Sequence, residues 1–491
     1  MRSVTHNTLF LTGASIIQKA LSFIYFTLLA RTFSADALGT YSYSLAFTTI
    51  FSIMVDGGLT PVLIRYVARK PSEARSFLKK ILSIKLLLLG LTSLAIIAAV
   101  YTIDAAFSTR SLIFAAAAVM IIDSLNLSVY GTLRGHQDLG YESVGMIAAQ
   151  LSSLAVVISV VSLGAPIIFA IVGLGIGSAV NAAIGLVGLA RMESVHSAEH
   201  MQVIETSVLA REAAPFALAG VFARGYSFLD VLILGSLTNF ATTGSYSIAN
   251  KLTFVFQFIP LALAATIYPA FSKQIAADDQ ESARKLWTSS QKYLLFCAGL
   301  IILVLVSLRL EILGFFGKAH TDVATTLILL ALSLVFAFMS YPVGALLNAA
   351  GKQKFQTIAM ACTLVANITM NLLLIRPFGS EGAAAGALVG NIVLFSVGAW
   401  FAGRHVMQLP WKTVLRFAMI FAVSSIVAGA ALAFGKPLIQ PIFLGGSLMQ
   451  LVGIGSLAAI GGIIYLALLL ALGAFSKAEI QELIDRLKKR V

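Results

Sequence analysis

Among the ionisable residues inside long hydrophobic runs, six are candidates for function: Lys19, Asp56, Asp123, Arg224, Asp230 and Lys251. At a bilayer centre such a group costs about 2.5–3.5 kcal/mol on insertion scales, so each needs a partner or a water-filled path. Side chains of this kind either hold a charged ligand or ion, or pair with one another and fix helix packing. Lys19 and Arg224 lie near the middle of their runs, 205 residues apart. Two permanent cations at one depth suit an anion with several acceptor oxygens and more than one negative charge. Arg can grip it with two parallel bonds while Lys acts as a point charge. Asp230 and Lys251 fall at similar depth, counted at about 1.5 Å per residue, and are candidates for an ion pair. Asp56, toward one end of its run, is a candidate for capping or pairing. Asp123 is a candidate counter-ion or coupling carboxylate. Cys297 and Cys362 have no spacing suited to a metal site or disulfide framework and read as packing residues. No metal or cofactor is expected.

The elements that must position these residues are membrane helices. Of 491 residues 59% are hydrophobic and 11% charged, with a mean hydropathy of +0.93; a soluble domain carries about 25% charged residues. Apolar windows of about 20 residues predict an all-α polytopic membrane protein of about 14 transmembrane helices. Their cores are 9–30, 41–61, 81–101, 111–133, 144–163, 166–190, 213–235, 244–270, 291–308, 323–349, 357–375, 383–402, 413–434 and 448–473.

The net charge of +13 does not indicate nucleic acid, because no continuous basic domain with interleaved aromatics is present. The cations cluster in alternate loops instead: Arg65, Arg69, Lys70, Arg75, Lys79 and Lys80 after the second span, for example. Alternate loops sum to roughly 22 against about 6 Lys/Arg, which predicts that both termini are on the cytoplasmic side of the cytoplasmic (inner) membrane. The tail 476–491 opens with Ser476 and Glu479, a capping box, and reads as a cytoplasmic amphipathic helix on membrane lipids or as a solvated helix end.

An internal repeat organises the spans. Leu29–Ser42 aligns without gaps on Leu234–Ser247 at the same offset of 205, with Gly39/Gly244, Tyr41/Tyr246 and Ser42/Ser247 identical. With small drifts the echo continues through Pro61/Pro269, Arg75/Arg284, Gly135/Gly351 and the glycine runs at 173–177 and 386–390. The repeat unit is six spans, an even number, so the copies are parallel repeats about an axis along the membrane normal. The expected organisation is an N-terminal six-helix lobe (1–200), a C-terminal lobe repeating it (201–406), two further transmembrane helices (407–475) and the tail. The lobes are expected to face a central cationic cleft.

Six plus six plus two spans resemble the multidrug/oligosaccharidyl-lipid/polysaccharide (MOP) exporter superfamily. So do the ARTF end of the first span, VDGGLTPVLIRYVAR after the second, and RGYSFLDVLILGSL…GSYSIANKL across the seventh and eighth. The likeness is greatest to its polysaccharide-transport branch, whose members flip undecaprenyl-pyrophosphate-linked oligosaccharides. The resemblance implies a non-enzymatic flippase working by alternating access. Its partners would be a polyprenyl-pyrophosphate-linked oligosaccharide, membrane lipids and polysaccharide polymerase machinery. Lys19 falls on a position that carries a cavity arginine in the related lipid II flippases. The next such position is Tyr25 here, which keeps a hydrogen-bonding tip without the charge. The alternatives are a multidrug cation antiporter or lipid II flippase of the same superfamily, or a membrane glycosyltransferase or polymerase. The first would need net acidic residues where Lys19 and Arg224 stand. The last would need a metal or carboxylate site on a sizeable extramembrane loop, which the sequence does not show.

Overall fold

The computed structural model describes residues 4–102, 106–192, 205–443 and 447–475. Among them there is no strand. In chain order the helices are α1 (Val4–Thr32), α2 (Ala35–Asp56), α3 (Leu59–Arg69), α4 (Ala74–Thr102), α5 (Phe107–Gly135), α6 (Gly140–Ser162), α7 (Ile168–Arg191) and α8 (Thr206–Leu237). There follow α9 (Phe240–Phe254), α10 (Phe258–Ala276), α11 (Gln280–Ser307), α12 (Arg309–Phe316), α13 (Ala324–Ala349), α14 (Gln353–His405), α15 (Trp411–Phe443) and α16 (Ser447–Ala471).

Thirteen helical segments among the described residues are long and apolar enough to cross a membrane. One of them is double. The 53 residues of α14 would extend about 80 Å at 1.5 Å each, against a hydrocarbon core of about 30 Å. It breaks at Gly379 (φ 54°, ψ −126°), a left-handed conformation that glycine adopts without penalty. The windows 357–375 and 383–402 lie on either side of that break, so thirteen helical segments agree with fourteen spans. Large apolar side chains such as Leu87, Leu94, Leu373 and Ile426 are exposed, the pattern expected where lipid rather than water is the solvent. The chain is a multi-pass membrane protein. The tail 476–491 lies outside the described residues.

Packing divides the chain into two compact units, Met1–Lys251 with Asn371–Ala383, and Leu252–Met370 with Ala384–Val491. In the first, α7 packs on α5 and α6, α6 on α1, and α2 on α4, α5 and α8. In the second, α11 packs on α13 and α15, and α15 on α16. The repeat assigns α8 to its second copy, yet α8 packs within the first unit because it lies along α2, touching it at Tyr43–Ser236 and Ser52–Arg224. The two lobes read from the repeat are a division of the sequence and remain a proposal.

One contact within the first unit joins repeat-equivalent residues. Gly39 of α2 and Gly244 of α9 meet at the starts of their helices. A Cβ on Gly39 would lie 1.7 Å from the Phe240 carbonyl oxygen, and one on Gly244 would lie 1.9 Å from that of Ala35. Ala35 and Phe240 are also 205 residues apart, so the contact is symmetric by sequence. Only glycine permits backbones to approach this closely.

Tyr25, which the resemblance puts at a cavity position, and the two cysteines, read as packing residues, meet different outcomes. Tyr25 is buried, donates to the Ala170 carbonyl at 2.9 Å and accepts from Tyr41 at 3.3 Å, so it ties α1 to α7 and α2. Cys297 is half-buried but Cys362 is exposed on α14, so the latter is not a core packing residue.

Candidate functional site

The six charged candidates fall into four local settings, all within the first compact unit. In the first setting, α2 carries Asp56 at its last turn, and Gly57 stops the helix with φ 51°. Asp56 is met by a residue outside the six, Lys85 of α4. Lys85 is completely buried and its ammonium reaches Asp56 Oδ1 at 2.8 Å, Thr60 Oγ1 at 3.1 Å and the Ser124 carbonyl at 3.3 Å. Three acceptors match the three N–H groups of a lysine, which is the condition for burying that charge. Thr60 also donates to Asp56 Oδ1. One turn back along α2, Ser52 accepts from Arg224 Nη1 of α8, and Arg224 feels the Asp56 charge. The remaining guanidinium donors of Arg224 are uncommitted among the described residues.

The second setting is on α1. Lys19 is half-exposed and makes no hydrogen bond or ion pair among the described residues. Lys251 of α9 reaches toward the same helix: its ammonium donates to Ser22 Oγ at 3.3 Å and lies 5.7 Å from the Phe26 ring centroid. Ser22 is three residues from Lys19, hence on the same helix face. Two cations therefore address one stretch of α1.

The third setting holds Asp230, which is buried. It accepts from Tyr246 at 3.2 Å and from Asn371 Nδ2 at 2.6 Å, so α8, α9 and α14 meet on one carboxylate. The fourth is Asp123 on α5, which is exposed. The structure thus brings Arg224 to Ser52, one turn from Asp56, and Lys251 to the helix of Lys19, and it anchors Asp230 separately.

A cavity of about 790 Å³ opens elsewhere in this unit, among Phe10, His136, Gln137, Asp138, Tyr141 and Val187. None of the six candidates lines it. Burial pushes the His136 imidazole below its usual pKa, and no Lys or Arg stands among the described residues that line the cavity. Among the described residues no group of three or more His, Cys, Asp or Glu could hold a metal ion.

Lys85 escapes the sequence reading although its signal is visible, a lysine four residues inside an apolar window. So near a span end a lysine can snorkel to the interface and needs no partner. Burial gives a sharper comparison with the repeat. Ala74, Leu78, Ile81, Lys85 and Leu89 of α4 are buried, as are Ala283, Trp287, Ser290, Leu294 and Ala298 of α11, each 209 residues later. Arg75 and Arg284 share that offset. Leu294 therefore stands where Lys85 would recur. At the Pro61/Pro269 offset of 208, Ala264 stands where Asp56 would.

Comparisons with known proteins follow the same lines. The profile described as "Polysaccharide biosynthesis protein" matches residues 4–275, and that of MatE matches residues 215–373. The chain is 24% identical over 418 residues to a protein of Haloferax volcanii named "Probable low-salt glycan biosynthesis flippase Agl15", covering 83% of this chain and 86% of that one. Among solved structures it resembles "Lipid II flippase MurJ, inward closed conformation", with TM-score 0.70, 16% identity, and coverage of 94% of this chain and 98% of that one. It also resembles an inward-facing multidrug resistance MATE family transporter of the MOP superfamily, with TM-score 0.68, 14% identity, and coverage of 79% and 94%. At these identities the structural likeness establishes the fold.

Proposed function

The chain belongs to the polysaccharide biosynthesis protein family, and from that premise we propose that it is a flippase for undecaprenyl-pyrophosphate-linked oligosaccharide units. It moves them across the cytoplasmic membrane for cell-surface polysaccharide assembly, with both termini cytoplasmic, in concert with polysaccharide polymerase machinery. The naming of the Haloferax relative as a probable glycan biosynthesis flippase supports this reading. The lysine and arginine asymmetry of the loops supports the orientation.

One observation carries the substrate assignment. Lys19 and Arg224 are repeat-equivalent cations, one with no partner among the described residues and the other with a single side-chain bond to Ser52. Cations left with open donors inside a membrane protein are expensive unless water or an anion meets them. A pyrophosphate has the charge and the acceptor oxygens to do so, and Lys251, beside the helix of Lys19, adds a third cation within reach. The lobes rock about the site, and the lipid tail stays in the bilayer. No covalent step is required. The antiporter reading is weaker because Asp56 and Asp230 are already engaged by Lys85 and by Tyr246 and Asn371.

The test is complementation of a flippase-null strain with the chain quantified in the same membranes. Lys19→Ala and Arg224→Ala each abolish glycan export at normal abundance, whereas Lys19→Arg and Arg224→Lys retain partial export. Arg224→Lys is the more impaired of the two, since two parallel bonds are lost. Full export by the double alanine variant at normal abundance refutes the proposal.

A further inference from the structure

The anion beside Arg224 in this structure belongs to the chain itself. Asp56 spends one carboxylate oxygen, Oδ1, on both Lys85 and Thr60, and its Oδ2 makes no hydrogen bond among the described residues. Arg224 is fastened one turn away on Ser52 and has donors to spare. A free carboxylate oxygen thus belongs to the residue one helical turn from the hydroxyl that holds a guanidinium with open N–H groups. Lys85 is completely buried with all three N–H groups used, so it is not free to meet a ligand.

Helix packing does not require the pair. The second repeat copy builds the corresponding helices, α10 and α11, with Ala264 and Leu294 in these places. Replacing a buried ion pair by apolar residues is often neutral or stabilising, so stability alone is a weak reason for an interior charge pair beside an open guanidinium.

We infer that Asp56, one turn along α2 from the Ser52 that holds Arg224, is a built-in competitor for that guanidinium, drawing on its charge from there while the site is empty and yielding it to the substrate's pyrophosphate. Lys85 is the positioning residue that fixes Asp56 through its ammonium at 2.8 Å. The inference rests on the flippase reading above and deepens it. A transporter must release what it binds, and a carboxylate ready to recapture Arg224 weakens the bound state and lowers the barrier to release. Removing the competitor therefore tightens binding and slows transport.

The experiment uses the purified full-length chain in lipid nanodiscs, with farnesyl pyrophosphate as the probe and titration calorimetry as the readout. Asp56→Asn is expected to bind the probe about tenfold more tightly than the unaltered chain while glycan export in cells falls. In the background of Arg224→Ala the same substitution changes affinity by less than twofold, because the competition acts through that guanidinium. If Asp56→Asn strands Lys85 and the chain does not fold, Lys85→Met with Asp56→Asn removes both charges and still tightens binding severalfold. The inference is overturned if Arg224→Ala weakens binding but neither Asp56 variant tightens it, leaving the pair as packing. If the unaltered chain and every variant fail to bind the probe, the pyrophosphate reading falls and this inference with it.

Discussion

The third and ninth spans, α4 and α11, which the proposed repeat pairs, handle a buried lysine differently. In α4 the fully buried Lys85 is answered by a carboxylate on the preceding span, Asp56. In α11 the equivalent position is Leu294, and the buried lysine, Lys292, sits two residues earlier on a different face. There it meets aromatic rings, 5.2 Å from the centroid of Phe417 on α15 and 4.5 Å from that of Phe475 after α16. Those rings belong to the segment outside the duplication. The first copy therefore turns its charge toward the helices that carry the candidate site, and the second turns its charge toward added helices that shield it. One scaffold tolerates either solution, which separates what folding requires from what function adds.

The most severe break in this comparison is Lys85→Leu alone, which gives α4 the residue of α11 but strands Asp56. Removing one partner of a buried pair costs about 3–5 kcal/mol, enough to deplete folded protein on fluorescence-detected size-exclusion chromatography. Adding Asp56→Ala completes the conversion to the second copy. The double variant should recover most of the folded yield but not export. Recovery of neither would show that the copies are not interchangeable even as scaffolds.

The symmetric glycine contact gives the next largest effect. Gly39→Ala and Gly244→Ala each drive a methyl into a backbone carbonyl of the partner helix, an overpacking cost of about 1–3 kcal/mol. Because the contact is symmetric, the two variants should lower the melting temperature in detergent by similar amounts. A large loss from one and none from the other would mean that the copies meet asymmetrically. Lys292→Met tests the aromatic contacts: it forfeits cation–π attraction of about 0.5–2 kcal/mol, and its loss should lie below that of Lys85→Leu. Equal losses would erase the contrast.

The smallest effect lies where the two spans begin. α11 is capped by Asp279, whose carboxylate accepts from the Ser282 amide, whereas α4 follows a short 3-10 turn at Pro71–Glu73 without a side-chain cap. Its hydrogen bonds with Ser282 hold the Asp279 carboxyl below the usual carboxylate range. Because the folded value lies below the unfolded one, the cap stabilises above the ordinary carboxylate range and fades as pH falls through the folded value. Asp279→Ala should therefore cause a slight drop in melting temperature at neutral pH that disappears in acid, followed by calorimetry. A drop that persists in acid would place the effect elsewhere.

Much was legible in the order of residues. Membrane solvent shows in run length and composition, duplication in a constant offset, and suspicion of Lys19, Asp56, Asp123, Arg224, Asp230 and Lys251 in the cost of charge within an apolar run. None of these needs a fold, because each compares a residue only with its neighbours along the chain or with its repeat partner. Partnership was beyond reach. Helical periodicity says which residues share a face, but only packing says which helix covers it. That is why Arg224 met Ser52 on α2, one turn from Asp56, why Lys251 met Ser22 and Phe26 on α1, and why Asp230 acquired Asn371, 141 residues away. Lys85 is the clearest case: by position it could have extended to the interface, and only the burial of that face of α4 against α2 and α5 turned it inward, where a membrane-buried ammonium must find its acceptors within the protein.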